Sequence, residues 1–204
     1  MCEGDAVGDL RERGTVTVSA HDVARELRQR IPDLDRLKLH KLLYYCQSWH
    51  LTWSGRPLFS EAIEAWIYGP VVASLWADER YERPRPAPQP LAQDELATLN
   101  YVAERYGRLS GPDLSRRAHD EAPWRDLSEN EAAFARGASA EITHDALRRW
   151  FTEDADYRSH KQRVDELRQR GDVYSFRPLE RSESLMRSVA RAAAGEQVRD
   201  TRPL

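Results

Sequence analysis

The sequence predicts a mainly α-helical fold, a compact multi-helix domain around one central helix, with a small strand element and a C-terminal helical extension. Two observations lead to this prediction. Apolar residues recur at helical spacing through most of the first 152 positions, and one of these helices is apolar on two faces. Residues 63–68 alternate in the manner of a short strand. At 204 residues, 40% hydrophobic and 32% charged, the chain resembles a globular protein that needs no disulfide or metal to fold.

The first helix and the central helix follow from their caps and their periodicity. Ser19 and Asp22 resemble a capping box that opens the first helix. The central helix is predicted from about Asp35 to Trp53, ending before Gly55. At 100° per residue, its large apolar side chains form one broad arc and a second, narrower stripe. A helix with two apolar faces must be covered by other elements on both sides.

Lys41 stands in a narrow polar strip of this central helix. Its amine could reach solvent along the helix surface. Alternatively, it pairs with a carboxylate such as Glu64, or it contacts a partner. The residues themselves leave these alternatives open.

The later elements are indicated by shorter signals. In the strand at residues 63–68, Trp66 and Tyr68 share one face, and Pro70 suits the first position of a third helix. Further helices are predicted at about 93–106, 110–119 and 143–151, with Pro123 and Trp124 stopping the second of them. A Pro-rich spacer at 82–90 and a loop at 126–141 separate these helices.

These signals divide the chain into a disordered leader (residues 1–14), a helical domain (15–152) and a C-terminal extension (153–204) that is helical or partly disordered. The extension has too few apolar positions to build a core, so its helices would need a partner surface. The leader has no apolar signal-peptide region, and no run approaches ~18 apolar residues. We therefore expect a cytoplasmic protein without a membrane span.

Motifs of known chemistry are scarce, which favours a protein that is not an enzyme and holds no cofactor or metal. There is no Gly-rich phosphate loop, no nucleophile elbow and no zinc signature. Cys46 lies in the apolar arc as a small hydrophobe. The enzymatic alternative uses His119 as an acid or base with a carboxylate such as Asp120 or Glu64. The structural alternative packs His119 against the neighbouring Pro-Trp pair.

A nucleic-acid partner is the third alternative. The helix that carries Arg116 and Arg117 is a mild candidate for a recognition helix, as in a DNA-binding autorepressor. The net charge of -3 argues against nucleic acid as a main partner. The favoured expectation for Trp66 and Tyr68 is that they pack against the central helix. If they are exposed, they instead offer a contact surface, because interface hot spots are enriched in Trp and Tyr.

Four segments, taken in order, resemble one family. They are residues 38–49 (KLHKLLYYCQSW), residues 57–59 with 63–71 (PLF and IEAWIYGPV), residues 106–124 with Tyr-Gly, Leu-Ser, His and Pro-Trp in sequence, and residues 142–151 with Ile-Thr and the Trp-Phe ending. The family is the Panacea domain of the SocA-like antitoxins, often described as phage-associated proteins. The chain departs from it at Ala118, where the family usually has Thr before the His.

The resemblance covers about residues 17–152 and implies a helical domain with a small strand element. It further implies an antitoxin that neutralises a cognate toxin by direct protein contact, with a cytosolic protease as a second partner, since at least one member delivers its toxin to a protease. It brings no catalytic residues. The candidates for partner-binding or motif residues are Lys41, Tyr45, Gln47, Trp49, Trp66, Tyr68, Gly69, Pro70, His119 and Trp124.

Overall fold

The computed structural model describes residues 18–129 and 140–153. Within these ranges 62% of the residues are helical, in seven helices, and a small three-stranded sheet completes the fold, so the mainly α prediction is confirmed. The predicted leader and all but the first residue of the predicted extension lie outside the described residues. In chain order the elements are α1 (Ala20–Arg30), α2 (Arg36–Ser54), β1 (Ile63–Trp66), β2 (Gly69–Val72), α3 (Ala73–Arg80), α4 (Gln93–Tyr106), α5 (Gly111–Asp120), α6 (Ala122–Ser128), β3 (Ala140–Glu141) and α7 (His144–Thr152).

Helix α2 lies at the centre of the fold, as its two apolar faces predict. The side chain of Asp35 caps its first turn by accepting a hydrogen bond from the backbone N–H of Lys38, and Gly55 ends it in the left-handed conformation. Every residue from Leu39 to Trp53 is buried. Helices α4, α5 and α7 and strand β2 all pack on α2, so its narrow polar strips are covered together with its apolar faces.

The buried polar side chains of α2 connect it to the elements around it. The amide of Gln47 accepts hydrogen bonds from the backbone N–H groups of Leu58 and Phe59 at 2.8 and 3.2 Å and donates to the carbonyl of Phe59 at 3.0 Å. The indole N–H of Trp49 donates to the hydroxyl of Tyr106 at 3.1 Å. These bonds satisfy groups that would be costly to bury alone.

The sheet has the strand order β2-β1-β3, and β1 is antiparallel to both neighbours. Pro70 lies opposite Ala65 in β2, so the prediction that Pro70 begins a helix is wrong. Gly69, with φ of 95°, lets the chain reverse after Tyr68. As an edge strand, β2 also tolerates a residue without an N–H group. The predicted strand therefore ends at Trp66, and the next two residues form a turn.

The prediction of a loop at 126–141 is also wrong at both ends. Helix α5 ends at Asp120, one residue from its predicted end, but Pro123 and Trp124 then lie in the first turn of a further helix, α6, where a proline loses no hydrogen bond. At the other end, Ala140 pairs with Ala65 of β1, a tertiary contact that no local pattern signals. Residues 130–139 lie outside the described residues. Within the described ranges, no helix is both long enough and apolar enough to cross a bilayer.

Candidate protein-interaction site

The turn between β1 and β2 exposes the most conspicuous apolar surface that the structure describes. Ile67 is 69% exposed and Tyr68 is 73% exposed, and they are neighbours in the chain, so the expectation that Tyr68 packs against the central helix is wrong. Large apolar side chains with this much exposure, side by side, are typical of contact surfaces rather than of a folded core. We refer to residues 66–70 as the hairpin turn.

The backbone of the hairpin turn is held by three helices. Alternate carbonyl groups each accept a hydrogen bond from the side chain of a different helix, which fixes the path of the chain on both sides of the exposed pair. The three bonds run from Trp124 Nε1 of α6 to Trp66 O at 2.9 Å, from Ser115 Oγ of α5 to Tyr68 O at 2.7 Å, and from Lys41 Nζ of α2 to Pro70 O at 2.9 Å.

Lys41 is the least expected member of this set, because its side chain is completely buried. The expectation that its amine reaches solvent is wrong. Pairing with Glu64 is also wrong, since that carboxylate instead accepts a hydrogen bond from the indole N–H of Trp66 at 2.8 Å. Burial without a carboxylate partner lowers the pKa of Lys41 to about 7. Lys41 is buried rather than exposed because strands and helices cover the polar strip of α2 on which it lies.

Gly69 packs directly against the buried end of Lys41, and the ring of His119 lies close to the same point. A Cβ atom at Gly69 would lie 2.7 Å from Lys41 Cε and 3.3 Å from His119 Nε2, so only glycine fits there. The ring of His119 stacks on Trp124, with ring centroids 3.9 Å apart, and its Nε2 atom is buried without a hydrogen bond. Burial, and secondly the charge of Lys41, lowers the pKa of His119, against a smaller opposing effect of Asp120. This packing agrees with the structural alternative, in which His119 packs against the neighbouring Pro-Trp pair.

The geometry does not assemble the acid–base pair that the enzymatic alternative requires. In the part of the chain that the structure describes, no carboxylate is hydrogen-bonded to His119, and Asp120 points to solvent as an exposed residue. Glu64 is engaged by Trp66, as described above. Among these same residues, no group of three or more His, Cys, Asp and Glu side chains is arranged to hold a metal ion.

A buried carboxylate that the sequence did not single out is Glu121, which is only 6% exposed. It accepts hydrogen bonds from the hydroxyls of Tyr44 at 2.7 Å and Tyr45 at 3.1 Å, and Arg117 Nε lies 3.7 Å away. Burial raises the pKa of both tyrosines, and the negative charge of Glu121 adds to this effect. The sequence does contain a signal for such an acceptor, since a tyrosine on a buried helix face needs a hydrogen-bond acceptor for its hydroxyl.

Arg116 and Arg117 of α5 both have partners within the chain. The guanidinium group of Arg116 pairs with Asp113 at 2.9 Å. That of Arg117 lies 5.6 Å from the ring centre of Tyr106 and close to Glu121. Whether α5 contacts DNA stays a prediction from sequence.

The structure brings most of the predicted residues together at the hairpin turn. Tyr45, Gln47 and Trp49 are the exceptions, because they are buried further along α2. Sequence patterns missed Ile67, which was placed within the strand at 63–68, and Ser115, which is one small polar residue among many. The candidates around the turn are Tyr68, which is exposed, Trp66, His119 and Trp124, which are half-buried, and Lys41, Gly69 and Pro70, which are buried.

Residues 39–125 match the model of a family described as antitoxin SocA-like, Panacea domain. The resemblance seen in the sequence motifs is therefore confirmed over this range, which contains the hairpin turn and every side chain that holds it. The motif segment at residues 142–151 lies outside the match. Comparisons with curated proteins and with solved structures found no match.

Proposed function

Because residues 39–125 match the SocA-like antitoxin family, we propose that this chain neutralises a protein toxin made beside it, in the cytoplasm, by binding the toxin directly. The family match is the observation on which this proposal rests. We propose a non-enzymatic mechanism, in which the stoichiometric complex itself blocks the toxin.

The condition of the reactive side chains supports binding rather than catalysis. Burial strongly raises the pKa of the Cys46 thiol, so this cysteine is protonated and shielded at neutral pH. Lys41 and Glu121 are buried and hydrogen-bonded to other parts of the fold. What the hairpin turn presents to a partner is a shaped surface with two exposed apolar side chains, Ile67 and Tyr68.

The proposal is tested with the product of the neighbouring reading frame. That product is expressed from an inducible promoter with and without this chain, and growth is followed after induction. We expect growth arrest that co-expression relieves, and a complex that survives size-exclusion chromatography. Absence of both toxicity and binding would reject the proposal.

The same strains separate direct blocking from delivery to a protease. If the complex itself neutralises the toxin, the half-life of the toxin after translation is stopped should be unchanged or longer in the presence of this chain. A toxin that disappears faster would instead indicate an adaptor that hands it to a cytosolic protease.

A His119→Ala variant tests the enzymatic alternative. We expect this variant, once shown to be folded by circular dichroism, to keep both toxin binding and rescue of growth. Binding that persists while rescue is lost would favour catalysis through His119.

A further inference from the structure

We propose that the hairpin turn is the element that contacts the toxin, and that Ile67 and Tyr68 enter an uncharged, apolar cleft on the toxin surface. This inference rests on the proposed function and names the surface that performs it. It follows from the shape of the turn, from its rigidity and from its chemistry.

The shape of the hairpin turn determines the shape of its partner. The two side chains project from the tip of a two-stranded hairpin, and both are more than two-thirds exposed. A convex projection of this kind buries its side chains only in a concave site. A cleft of the toxin is therefore a better fit than a flat surface.

The rigidity of the turn lowers the entropic cost of binding. Its carbonyl groups are held by α2, α5 and α6 through the three hydrogen bonds given above. Gly69 is packed against Lys41 and His119 too closely for even a methyl group. The exposed side chains therefore stand on a backbone that is already ordered before binding, and preorganisation of this kind raises affinity.

The chemistry of the turn specifies an uncharged cleft. Residues 65–77 carry no charged side chain, in a chain of which 32% is charged. Lys41, which reaches the turn from α2, is completely buried and donates to the carbonyl of Pro70. The tip thus offers an aliphatic group and a phenol. A cleft that fits them has apolar walls and one polar group that hydrogen-bonds the tyrosine hydroxyl. The side chains of residues 66–70 themselves carry no positive charge for a phosphate backbone.

The size of the tip gives it the role of an anchor rather than of a whole interface. One exposed tyrosine and one isoleucine supply roughly 250 Å², against about 800 Å² per partner in a stable complex. The half-buried rings of Trp66 and Trp124 lie beside the tip and extend the surface. Tyrosine and tryptophan in this central position are the residues that dominate binding energy at interfaces.

Exposed tyrosines at two places allow a matched test. Tyr68→Ala, Ile67→Ala and the double variant are compared with Tyr81→Ala, which removes a tyrosine of similar exposure (63%) on α3's C-terminal side. Affinity for the purified product of the neighbouring toxin frame is measured by calorimetry. We expect the double variant to bind about 100-fold more weakly or worse, each single variant about tenfold more weakly, and Tyr81→Ala within about threefold of wild type.

A photo-crosslinking amino acid gives a second readout that does not depend on affinity. Placed at position 68 it should crosslink to the toxin, and placed at position 81 it should not. A folded double variant that binds within about threefold of wild type, or crosslinks at 81 but not at 68, overturns the assignment of the hairpin turn while the proposed function stands. Failure of the wild-type chain to bind or rescue rejects the proposed function, and this inference with it.

Discussion

Replacing Lys41 by methionine should change how the stability of the domain depends on pH. Methionine matches the apolar stem of the lysine side chain out to the Cε position but lacks the terminal amine. In the folded chain, burial lowers the pKa of Lys41 to about 7, from an ordinary value of 10.5. The unfolded chain therefore binds a proton that the folded chain does not hold between about pH 7 and about pH 10.5.

The sign and size of the effect follow from this difference. Below about pH 7 both states carry the proton, and the folded state pays the full cost of burying the charge. As the pH rises through this window the cost is relieved, so the stability of the wild type increases. Between about pH 7 and about pH 8.5 the gain is about 1.5 kcal/mol. Lys41→Met lacks this gain, and it bears at every pH a cost of about 1–3 kcal/mol for the unpaired carbonyl of Pro70.

The free energy of unfolding of both proteins is measured by urea titration, followed by tryptophan fluorescence, at pH values from about 6.5 to about 8.5. These limits are about the ordinary pKa values of histidine and cysteine. The free energy of unfolding of the variant, relative to that of wild type, should fall by about 1.5 kcal/mol across the upper part of this range. Titrating groups remote from Lys41 cancel in the difference, and the two histidines whose pKa its charge lowers, His40 and His119, titrate below the upper part of this range. If the free energies of unfolding of wild type and variant changed in parallel with pH, the conclusion that the amine of Lys41 is buried and weakly basic would be refuted.

Three further predictions concern the same core. Gly69→Ala should lower the unfolding free energy by roughly 3 kcal/mol, because the new side chain combines a positive φ with a clash against Lys41. Gly55→Ala has a positive φ but open space around it, so it should lower the unfolding free energy by only about 1 kcal/mol. Equal urea midpoints for the two variants would contradict this prediction. Glu121→Ala should cost roughly 3 kcal/mol, since two buried tyrosine hydroxyls lose their acceptor; thermal melting measures the loss. Burial and, secondly, nearby cations lower the pKa of His40 to about 3, so stability should decline as the pH falls from about 6.5, and an acid titration of His40→Gln should show a shallower decline.

The parts of the fold that were predictable from sequence are those with local signals. The cap at Asp35, the left-handed Gly55 and the two apolar faces between them define α2 without any tertiary information. The capping box at Ser19 opens α1 as predicted. The strand β2 was missed because Pro70 has two common positions, at an edge strand and at the first turn of a helix, and only the pairing with β1 distinguishes them.

The candidate site was less predictable because its geometry depends on contacts between distant residues. The motif residues Lys41, Gly69 and His119 are spread over three elements, and nothing in the sequence shows that they meet at one point. The complete burial of Lys41 was missed because its neighbours on α2 predict a polar strip open to water. That strip is closed by β2 and α5, whose packing positions cannot be read from periodicity.

The division between buried support and exposed tip leads to a last prediction about specificity. Lys41 and Ser115 hold the backbone of the hairpin turn through its carbonyl groups, which every amino acid possesses, so the side chains at Ile67 and Tyr68 take no part in that support. Substituting either exposed residue should therefore change the unfolding free energy by no more than about 0.5 kcal/mol. A library randomised at these two positions should yield folded variants with altered toxin preference, as measured by rescue of growth against two different toxins. A library that mostly fails to fold would show instead that the exposed side chains contribute to the scaffold.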